Sequence, residues 1–328
     1  MKKVFVTRLI PDRGLVLLKK QGYEVVVNPE DRVLRREELI MFLEGKNYDA
    51  VLCLLTDKID KEVFAAAGSQ VKIFANYAVG FDNIDLVAAR ERNILITNTP
   101  DVLNETVAEH TFALILAIAH RIAEADQFMR DGKYKGWGPM LLLGADVAHS
   151  TLGIVGLGRI GALVAKHAVK GFDMRALYYD VKRNEDFEKE FSAEFRPNLD
   201  DLLREADFVS IHVPLLPSTK HLINADSLAK MKKTAYLINT SRGPVIDEHA
   251  LEQALEKGII GGAAIDVFEN EPLMDLGFKN LDKIIVTPHI ASATEETRQK
   301  MGEVAARNIV AALEGQTPPN LVGTPGQK

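Results

Sequence analysis

Cysteine and tryptophan are almost absent from this sequence of 328 residues, which contains one of each. A single cysteine, Cys53, cannot form an intramolecular disulfide, and this indicates a protein that works in a reducing compartment. The stretch V-L-C-L-L around it is typical of a buried strand, in which cysteine packs as a small apolar side chain. The sequence also has no C-x-x-C, no H-E-x-x-H and no cluster of histidines, so we predict no metal site.

An excess of positive charge and a long hydrophobic run are missing as well. The chain has 40 lysines and arginines against 46 aspartates and glutamates, a net charge of −6, so nucleic acid and anionic membranes are not expected partners. The longest apolar stretch, Phe112–Ala119, is about half the length that spans a bilayer. The apolar run at the N-terminus is too short for a signal peptide, and we therefore expect a cytoplasmic protein.

Strand-like and helix-like segments alternate along the chain, which predicts the α/β class with parallel sheets. A first series covers roughly 100 residues and is interrupted at residues 98–101, N-T-P-D. A long apolar helix is predicted over Thr106–Met129, and a second series begins at Thr151. The last helix, Glu295–Glu314, has no strand of its own to pack on, so we expect it to return to the first domain. The tail from Gln316 is predicted to be loop.

The most specific local motif is G-L-G-R-I-G, from Gly156 to Gly161, which follows a β-rich run and opens an apolar helix. Gly156 permits a tight turn, Gly158 lets the backbone approach a pyrophosphate, and Gly161 lets the helix pack close to the strand. The N-terminus of the helix favours the anion. This combination predicts a dinucleotide-binding loop rather than a simple tight turn.

An acidic residue, Asp180, ends the next predicted strand. A carboxylate at this position accepts hydrogen bonds from the hydroxyls of an adenosine ribose and repels a 2′-phosphate, which favours NAD over NADP. Lys182 and Arg183 follow directly and are able to pair with that phosphate. We prefer the alternative in which both lie in a solvated loop, so NAD is the expected cofactor and NADP is the second choice.

Arg242 directly follows a predicted strand, within I-N-T-S-R-G-P. Ligands of open α/β sheets bind outside the carboxyl ends of the strands. An arginine there can bind a substrate carboxylate through two parallel hydrogen bonds and polarise a neighbouring carbonyl. An arginine that merely caps a loop is the alternative.

His289, in V-T-P-H-I-A-S, also follows a strand, and its ordinary pKa near neutrality suits a proton donor to a carbonyl. Glu271 is the carboxylate that we expect to accept the proton of the other ring nitrogen, to hold the ring and to favour its protonated form. Glu269 lies two residues away and is the competing candidate.

Two further positions have both a functional and a structural interpretation. Asp266 follows A-A-I, where it would accept a hydrogen bond from a nicotinamide carboxamide or serve as a turn acid, and spacing does not separate the two. Gly80 lies in N-Y-A-V-G-F-D after a strand of the first domain. It would offer backbone N–H groups to a carboxylate or form a plain turn.

At this point the chain resembles the D-2-hydroxyacid dehydrogenase family, and within it most closely the glyoxylate/hydroxypyruvate reductases. The matching motifs cover nearly the whole length: N-Y-A-V-G-F-D-N-I-D, T-P-D-V-L-N-E-T-V-A-E-H, G-I-V-G-L-G-R-I-G, L-I-N-T-S-R-G, A-A-I-D-V-F-E-N-E-P and T-P-H-I-A-S-A-T. The resemblance implies two Rossmann-like, doubly wound parallel-sheet domains with an active-site cleft between them. Residues 1–99 plus 291–328 would bind substrate, and residues 100–290 would bind NAD(P).

The resemblance also implies roles for individual residues. The catalytic set would be Arg242, Glu271 and His289, with the backbone amides of Val79 and Gly80 on the substrate carboxylate. Leu54 and Trp137 would shape the substrate pocket, Trp137 from a segment that reaches the partner subunit in similar reductases. A homodimer is expected. The implied cofactor contacts are Thr106, Gly156, Gly158, Arg159, Ile160, Gly161, Asp180, Val213, Pro214, Thr240 and Asp266.

These observations predict an NAD(P)-dependent reductase that converts a small 2-oxo acid to the (R)-2-hydroxy acid. No G-x-x-x-x-G-K-[ST] and no G-x-S-x-G occur, so neither phosphoryl transfer nor serine hydrolysis is indicated. Two alternatives stay open: a dehydrogenase for another small anion such as phosphite, and a dinucleotide-sensing, corepressor-like binding protein with the same residues.

Overall fold

The computed structural model describes residues 1–271, 277–280 and 283–322. The chain divides into two compact units, one formed by Met1–Leu103 and Ser292–Lys328 and the other by Asn104–Ala291. Among the described helices, none has both the length and the apolar character that crossing a bilayer requires.

Strands and helices alternate in both units. Up to residue 103 the chain forms β1 (Lys3–Val6), α1 (Asp12–Lys20), β2 (Glu24–Val27), α2 (Arg36–Leu43), β3 (Ala50–Cys53), α3 (Lys61–Ala67), β4 (Ile73–Asn76), α4 (Leu86–Glu91) and β5 (Leu95–Thr97). It continues with α5 (Asn104–Ala119), α6 (Ile122–Arg130), β6 (Thr151–Val155), α7 (Arg159–Phe172), β7 (Arg175–Tyr179), α8 (Glu185–Phe191), β8 (Glu194–Phe195), α9 (Leu199–Glu205) and β9 (Phe208–Ile211). The last elements are α10 (Ala225–Leu228), β10 (Tyr236–Asn239), α11 (Glu248–Glu256), β11 (Gly262–Ile265), β12 (Ile284–Val286), α12 (Glu295–Leu313) and β13 (Leu321–Val322), with short 3-10 helices at Gly243–Val245 and Gly277–Asn280.

The first unit contains a six-stranded sheet in the order β13-β5-β4-β3-β1-β2. All neighbours are parallel except β13, which runs antiparallel to β5. Strands β3 and β4 are buried along their whole length, as expected when helices cover both faces of a sheet. The strand order reverses between β1 and β3, and ligands of such sheets bind outside the carboxyl ends of strands at this kind of reversal.

The second unit contains a seven-stranded parallel sheet in the order β12-β11-β10-β9-β6-β7-β8. Successive residues of its strands face two different cores: Ile154 and Tyr178 pack on one side with α5 and α7, while Val155 and Leu177 pack on the other. This alternation explains why the strands are continuous apolar runs in the sequence. The order reverses between β6 and β9, as in dinucleotide-binding sheets. The predicted α/β class with doubly wound parallel sheets is confirmed.

Two predicted segments differ from the structure, and three short elements were missed. The prediction of one long helix over 106–129 is wrong. The helix is interrupted at His120–Arg121, where Arg121 adopts a left-handed φ of 55°, and this separates α5 from α6. The tail prediction is wrong for Leu321–Val322, which form β13, while residues 323–328 lie outside the described residues. The elements α4, α8 and β8 were not predicted at all.

The last helix packs within the first unit, where α12 contacts α1 and β4. The helix has nineteen residues, and its buried residues recur along one face. Among them are Met301, Ala305 and Ile309. This spacing gives the helix an apolar face that a neighbouring helix and strand can cover.

Candidate active site

The glycine motif forms the turn between β6 and α7. Gly156 has φ +96°, a left-handed value that favours glycine, and a Cβ at this position would lie 2.8 Å from the carbonyl oxygen of His212. A Cβ at Gly161 would lie 2.2 Å from the carbonyl oxygen of Gly156. At Gly158, the N-cap of α7, a Cβ would meet nothing within 4 Å. The loop therefore leaves free space beside a helix N-terminus, which fits a pyrophosphate.

Asp180 lies at the end of β7, next to this loop. One carboxylate oxygen accepts a hydrogen bond from the N–H of Leu157 at 2.7 Å, and the other accepts one from the N–H of Lys182 at 3.1 Å. Both bonds orient the carboxylate at the carboxyl edge of the sheet beside the glycine turn. Among the basic neighbours, Arg183 is paired with Glu188 through two hydrogen bonds of 2.9 and 2.7 Å.

The other cofactor positions lie at the same edge of the sheet or at the start of a helix. Val213 and Pro214 follow β9, and Thr240 directly follows β10. The Thr240 hydroxyl is 2.8 Å from the hydroxyl of Thr111 on α5. Thr106 belongs to the first turn of α5, and Arg159 and Ile160 are the first two residues of α7.

Arg242 is held in a short turn after β10 that the fully buried side chain of Asn239 organises. The Asn239 amide nitrogen donates to the carbonyl of Arg242 at 3.0 Å, and its amide oxygen accepts from the N–H and the hydroxyl of Ser241. A Cβ at Gly243 would lie 2.0 Å from the carbonyl oxygen of Phe268. Only glycine therefore lets the Arg242 turn pack against the segment that carries Glu271.

His289 and Glu271 form a hydrogen-bonded pair. The ring nitrogen Nδ1 of His289 lies 2.7 Å from Oε2 of Glu271, whose other oxygen accepts a hydrogen bond from the N–H of Phe268 at 2.9 Å. Burial opposes ionisation of Glu271. The hydrogen bond from His289, the histidine charge, the Phe268 N–H and the charge of Arg242 outweigh burial and lower the pKa of Glu271 below its ordinary value.

Asp266, which is fully buried, shapes the turn that carries His289. Its carboxylate accepts hydrogen bonds from the hydroxyl of Thr287 at 2.6 Å and from the N–H groups of Ile290 and Ala291 at 2.9 and 2.8 Å. The N–H of His289 donates to the Asp266 carbonyl at 2.9 Å, and His289 itself has a left-handed φ of 55°. Asp266 is thus a turn acid in this structure, while its contact with a carboxamide stays a prediction.

A second histidine–glutamate pair was not predicted from the sequence. Nε2 of His221 is hydrogen-bonded to Oε1 of Glu269, and the N–H of Glu269 donates to the carboxylate of Glu248. Glu269 therefore has a histidine of its own, and Glu271 is the glutamate that contacts His289. His221 is 48 positions from Glu269 in the chain, so no local pattern indicates the contact.

Leu54, Val79 and Gly80 lie at the carboxyl edge of the first unit's sheet. Leu54 follows β3, and its carbonyl accepts a hydrogen bond from the side chain of Asn83 at 3.1 Å. The Gly80 carbonyl accepts one from the side chain of Asn76 at 2.8 Å. Trp137 is 84% exposed and lies between α6 and β6 of the second unit.

Comparison with known proteins identifies the family of this chain. The family model "D-isomer specific 2-hydroxyacid dehydrogenase, NAD binding domain" matches residues 112–291. A glyoxylate reductase of Korarchaeum cryptofilum is 51% identical over 322 residues, which cover 98% of this chain and 95% of the relative. A glyoxylate reductase of Pyrococcus horikoshii is 48% identical over 324 residues, which cover 98% of this chain and 95% of the relative.

Solved structures agree with the sequence comparison. A Thermus thermophilus protein superposes with a TM-score of 0.91 at 43% identity, covering 98% of this chain and 100% of its own. An NADPH-dependent glyoxylate/hydroxypyruvate reductase of Sinorhizobium meliloti, in complex with NADP and malonate, superposes with a TM-score of 0.86 at 29% identity, covering 98% and 97%. The chain therefore belongs to the D-isomer specific 2-hydroxyacid dehydrogenase family of oxidoreductases and carries the family's NAD-binding domain.

Proposed function

We propose that this enzyme reduces a small 2-oxo acid of the glyoxylate or hydroxypyruvate kind to the (R)-2-hydroxy acid with a reduced nicotinamide dinucleotide. The observation that carries the proposal is the hydrogen bond of 2.7 Å between Nδ1 of His289 and Glu271, next to the charge of Arg242. The relatives named glyoxylate reductase support the substrate class. They disfavour both a phosphite-type dehydrogenase and a non-catalytic sensor.

His289 is the proton donor in this proposal. Because Nδ1 faces the carboxylate of Glu271, Nε2 is the nitrogen that gives its proton to the oxygen of the reacting carbonyl. Glu271 stabilises the charged ring and fixes its orientation, and its own position is fixed by the N–H of Phe268. A histidine held in this way is already oriented for proton transfer, so the reaction does not lose conformational entropy in aligning the ring.

Arg242 has two tasks. Its guanidinium binds the substrate carboxylate and polarises the neighbouring carbonyl oxygen, on which negative charge develops during reduction. We assign the backbone amides of Val79 and Gly80 to the binding of the substrate carboxylate.

When bound, NADH supplies the hydride that reduces the carbonyl carbon. The glycine loop with α7 would hold its pyrophosphate, and Asp180 would accept from its ribose hydroxyls. We propose that NADH is preferred over NADPH, because the Asp180 carboxylate repels a 2′-phosphate and Arg183 is already paired with Glu188. The hydrogen bonds from Arg183 and Tyr178 lower the pKa of Glu188 to about 2, so this pair is charged at neutral pH.

A homodimer in the cytoplasm is the proposed form of the enzyme. Large apolar side chains are exposed along α6 and the segment that follows it, and α6 buries none of its residues. An apolar surface of this extent favours a protein partner. The exposed residues are Ile122, Met129, Tyr134, Trp137, Met140, Leu141 and Leu143.

The test is oxidation of NADH and NADPH, side by side, with glyoxylate, hydroxypyruvate, pyruvate and phosphonopyruvate as acceptors. We expect turnover with glyoxylate or hydroxypyruvate and a higher kcat/KM for NADH than for NADPH. A preference for NADPH would contradict the role given to Asp180. Tight dinucleotide binding without turnover of any acceptor would contradict the reductase itself.

A further inference from the structure

The backbone from Ala78 to Gly80 is fixed at every carbonyl by residues outside the loop or at its base. The Ala78 carbonyl accepts a hydrogen bond from the N–H of Thr99 at 2.8 Å. The Val79 carbonyl accepts one from the side-chain amide of Asn98 at 2.8 Å, and the Gly80 carbonyl accepts one from the side-chain amide of Asn76 at 2.8 Å. Three successive peptide groups therefore have one defined orientation each.

Fixing these carbonyls also fixes the amides that follow them. A trans peptide group is planar, so its N–H points away from its C=O. The bond from Thr99 therefore orients the N–H of Val79, and the bond from Asn98 orients the N–H of Gly80. Neither of these two amides donates a hydrogen bond to any residue that the structure describes. Two successive backbone N–H groups that are oriented and have no other acceptor are able to bind an anion.

Asn98 is itself held firmly by the C-terminal part of the same unit. Its side chain and backbone are almost completely buried. Its N–H donates to the carbonyl of Asn320 at 3.2 Å, and its carbonyl accepts from the side-chain amide of the fully buried Asn308 at 3.2 Å. Asn308 in turn accepts from the N–H of Asn320 at 3.2 Å. The donor that faces Val79 thus has little freedom to turn away.

We propose that Asn98 is a positioning residue for the substrate carboxylate, which it serves by setting the direction of the Gly80 N–H. The inference rests on the proposed function, in which that amide and the Val79 amide bind the anion. An asparagine suits the task because a short side chain must present an N–H to a buried carbonyl. Aspartate, which has the same shape, would present only acceptors to the Val79 carbonyl and would drive that peptide group to turn.

The variants Asn98→Ala and Asn98→Asp test the proposal. Loss of an oriented donor to an anion should raise the KM for glyoxylate by about 10-fold in Asn98→Ala and by more in Asn98→Asp. The dissociation constant of oxamate, measured by calorimetry with NADH present, should rise by the same factor. We expect kcat to change by less than about 3-fold and the KM for NADH to stay constant, because neither hydride nor proton transfer involves Asn98.

Asn28→Ala is the matched control. Asn28 is also buried in the first unit and donates to the carbonyl of Thr7 at 3.0 Å, but it has no contact with the Val79–Gly80 loop among the described residues. Its removal should lower the melting temperature and leave KM and oxamate affinity unchanged. Asn98→Ala keeps the proposal testable if Asn98→Asp does not fold.

The outcomes separate this inference from the function on which it rests. A wild-type protein that reduces no 2-oxo acid and binds no oxamate would overturn the proposed function. A wild-type reductase whose Asn98→Ala variant keeps both KM and oxamate affinity would overturn the role of Asn98 alone. An equal loss in Asn28→Ala would do the same, because it would reduce the effect to general destabilisation.

Discussion

Two histidine–glutamate pairs use carboxylates only two positions apart, Glu271 with His289 and Glu269 with His221, yet their surroundings differ. His289 is 25% exposed and lies on a turn that Asp266 holds, whereas His221 is 39% exposed. The carboxylate of Glu271 accepts a hydrogen bond from the N–H of Phe268, and the charge of Arg242 helps to lower its pKa. The N–H of Glu269 instead donates to the carboxylate of Glu248. We therefore expect the nearby cation and the fixed turn, rather than the histidine–glutamate pair alone, to distinguish the proton donor.

The largest effect that should separate the two pairs comes from the histidines. Replacing His289 by Asn removes the proton donor, and kcat for glyoxylate reduction should fall by about 10²- to 10⁴-fold, the usual contribution of general acid catalysis. His221→Asn should leave kcat within about 3-fold of wild type. Steady-state NADH oxidation measures both. A His289→Asn variant with near-normal kcat would exclude the assignment.

Removing Arg242 should have the next largest effect, because its charge acts on Glu271 of the first pair. Arg242→Ala should lower kcat and raise the KM for the 2-oxo acid, with a combined loss in kcat/KM of about 10²- to 10³-fold. Arg242→Lys should restore little, since a lysine cannot form two parallel hydrogen bonds to a carboxylate. An effect confined to the KM for NADH would argue against contact with the substrate.

Neutralising the two glutamates should give smaller and unequal effects. Glu271→Gln removes the charge that stabilises the imidazolium, so we expect kcat to fall about 10-fold and the alkaline limb of the reduction profile to move to lower pH. Glu269→Gln should change neither. The measurement is kcat as a function of pH for both variants. Identical profiles in the two variants would remove the distinction between the pairs.

The smallest predicted effect concerns stability next to the second pair. Burial, and then the charges of Glu269 and Glu271, raise the pKa of Glu248. A raised pKa means that the stabilising contribution of Glu248 is complete below its unfolded pKa and is lost as the pH rises through the folded pKa. Glu248→Gln, which cannot ionise, should therefore melt slightly above wild type at neutral pH and at the same temperature in acid.

Glu271→Gln should show the opposite sign in the same melting experiment. The lowered pKa of Glu271 gives a contribution that is present above the unfolded pKa and is lost as the pH falls through the folded one. The variant should melt below wild type at neutral pH and approach it in acid. Parallel shifts in both variants would contradict the opposite charge environments of the two glutamates.

Most of the site could be predicted from sequence because its residues occur in short motifs at strand ends. The glycine turn, the Arg242 turn and the His289 turn each follow a strand, and parallel strands bring their carboxyl ends to one edge. The partners of those residues were harder to predict. Asn98 reaches Val79 across 19 positions and is supported by Asn308 across 210, distances over which no pattern predicts a contact.

Two errors in secondary structure have local physical causes. The apolar pattern continues past Ala119, and only the left-handed backbone at Arg121, stabilised by two hydrogen bonds from its side chain to Glu124, ends α5. The helix α8 is almost entirely charged, but it buries Phe187 and Phe191, one turn apart. That pair of aromatic residues after the N-cap Asn184 was the signal that could have indicated it.

The central claim is that His289, and not His221, gives the proton during reduction. The direct measurement is the rate of the first hydride transfer as a function of pH. It is recorded by rapidly mixing the NADH-loaded enzyme with glyoxylate, for wild type, His289→Asn and His221→Asn. We expect the rate of hydride transfer to decline at high pH in both wild type and His221→Asn. In His289→Asn the rate should be low and should not show that decline. A decline that persists in His289→Asn, or that vanishes in His221→Asn, would contradict the account.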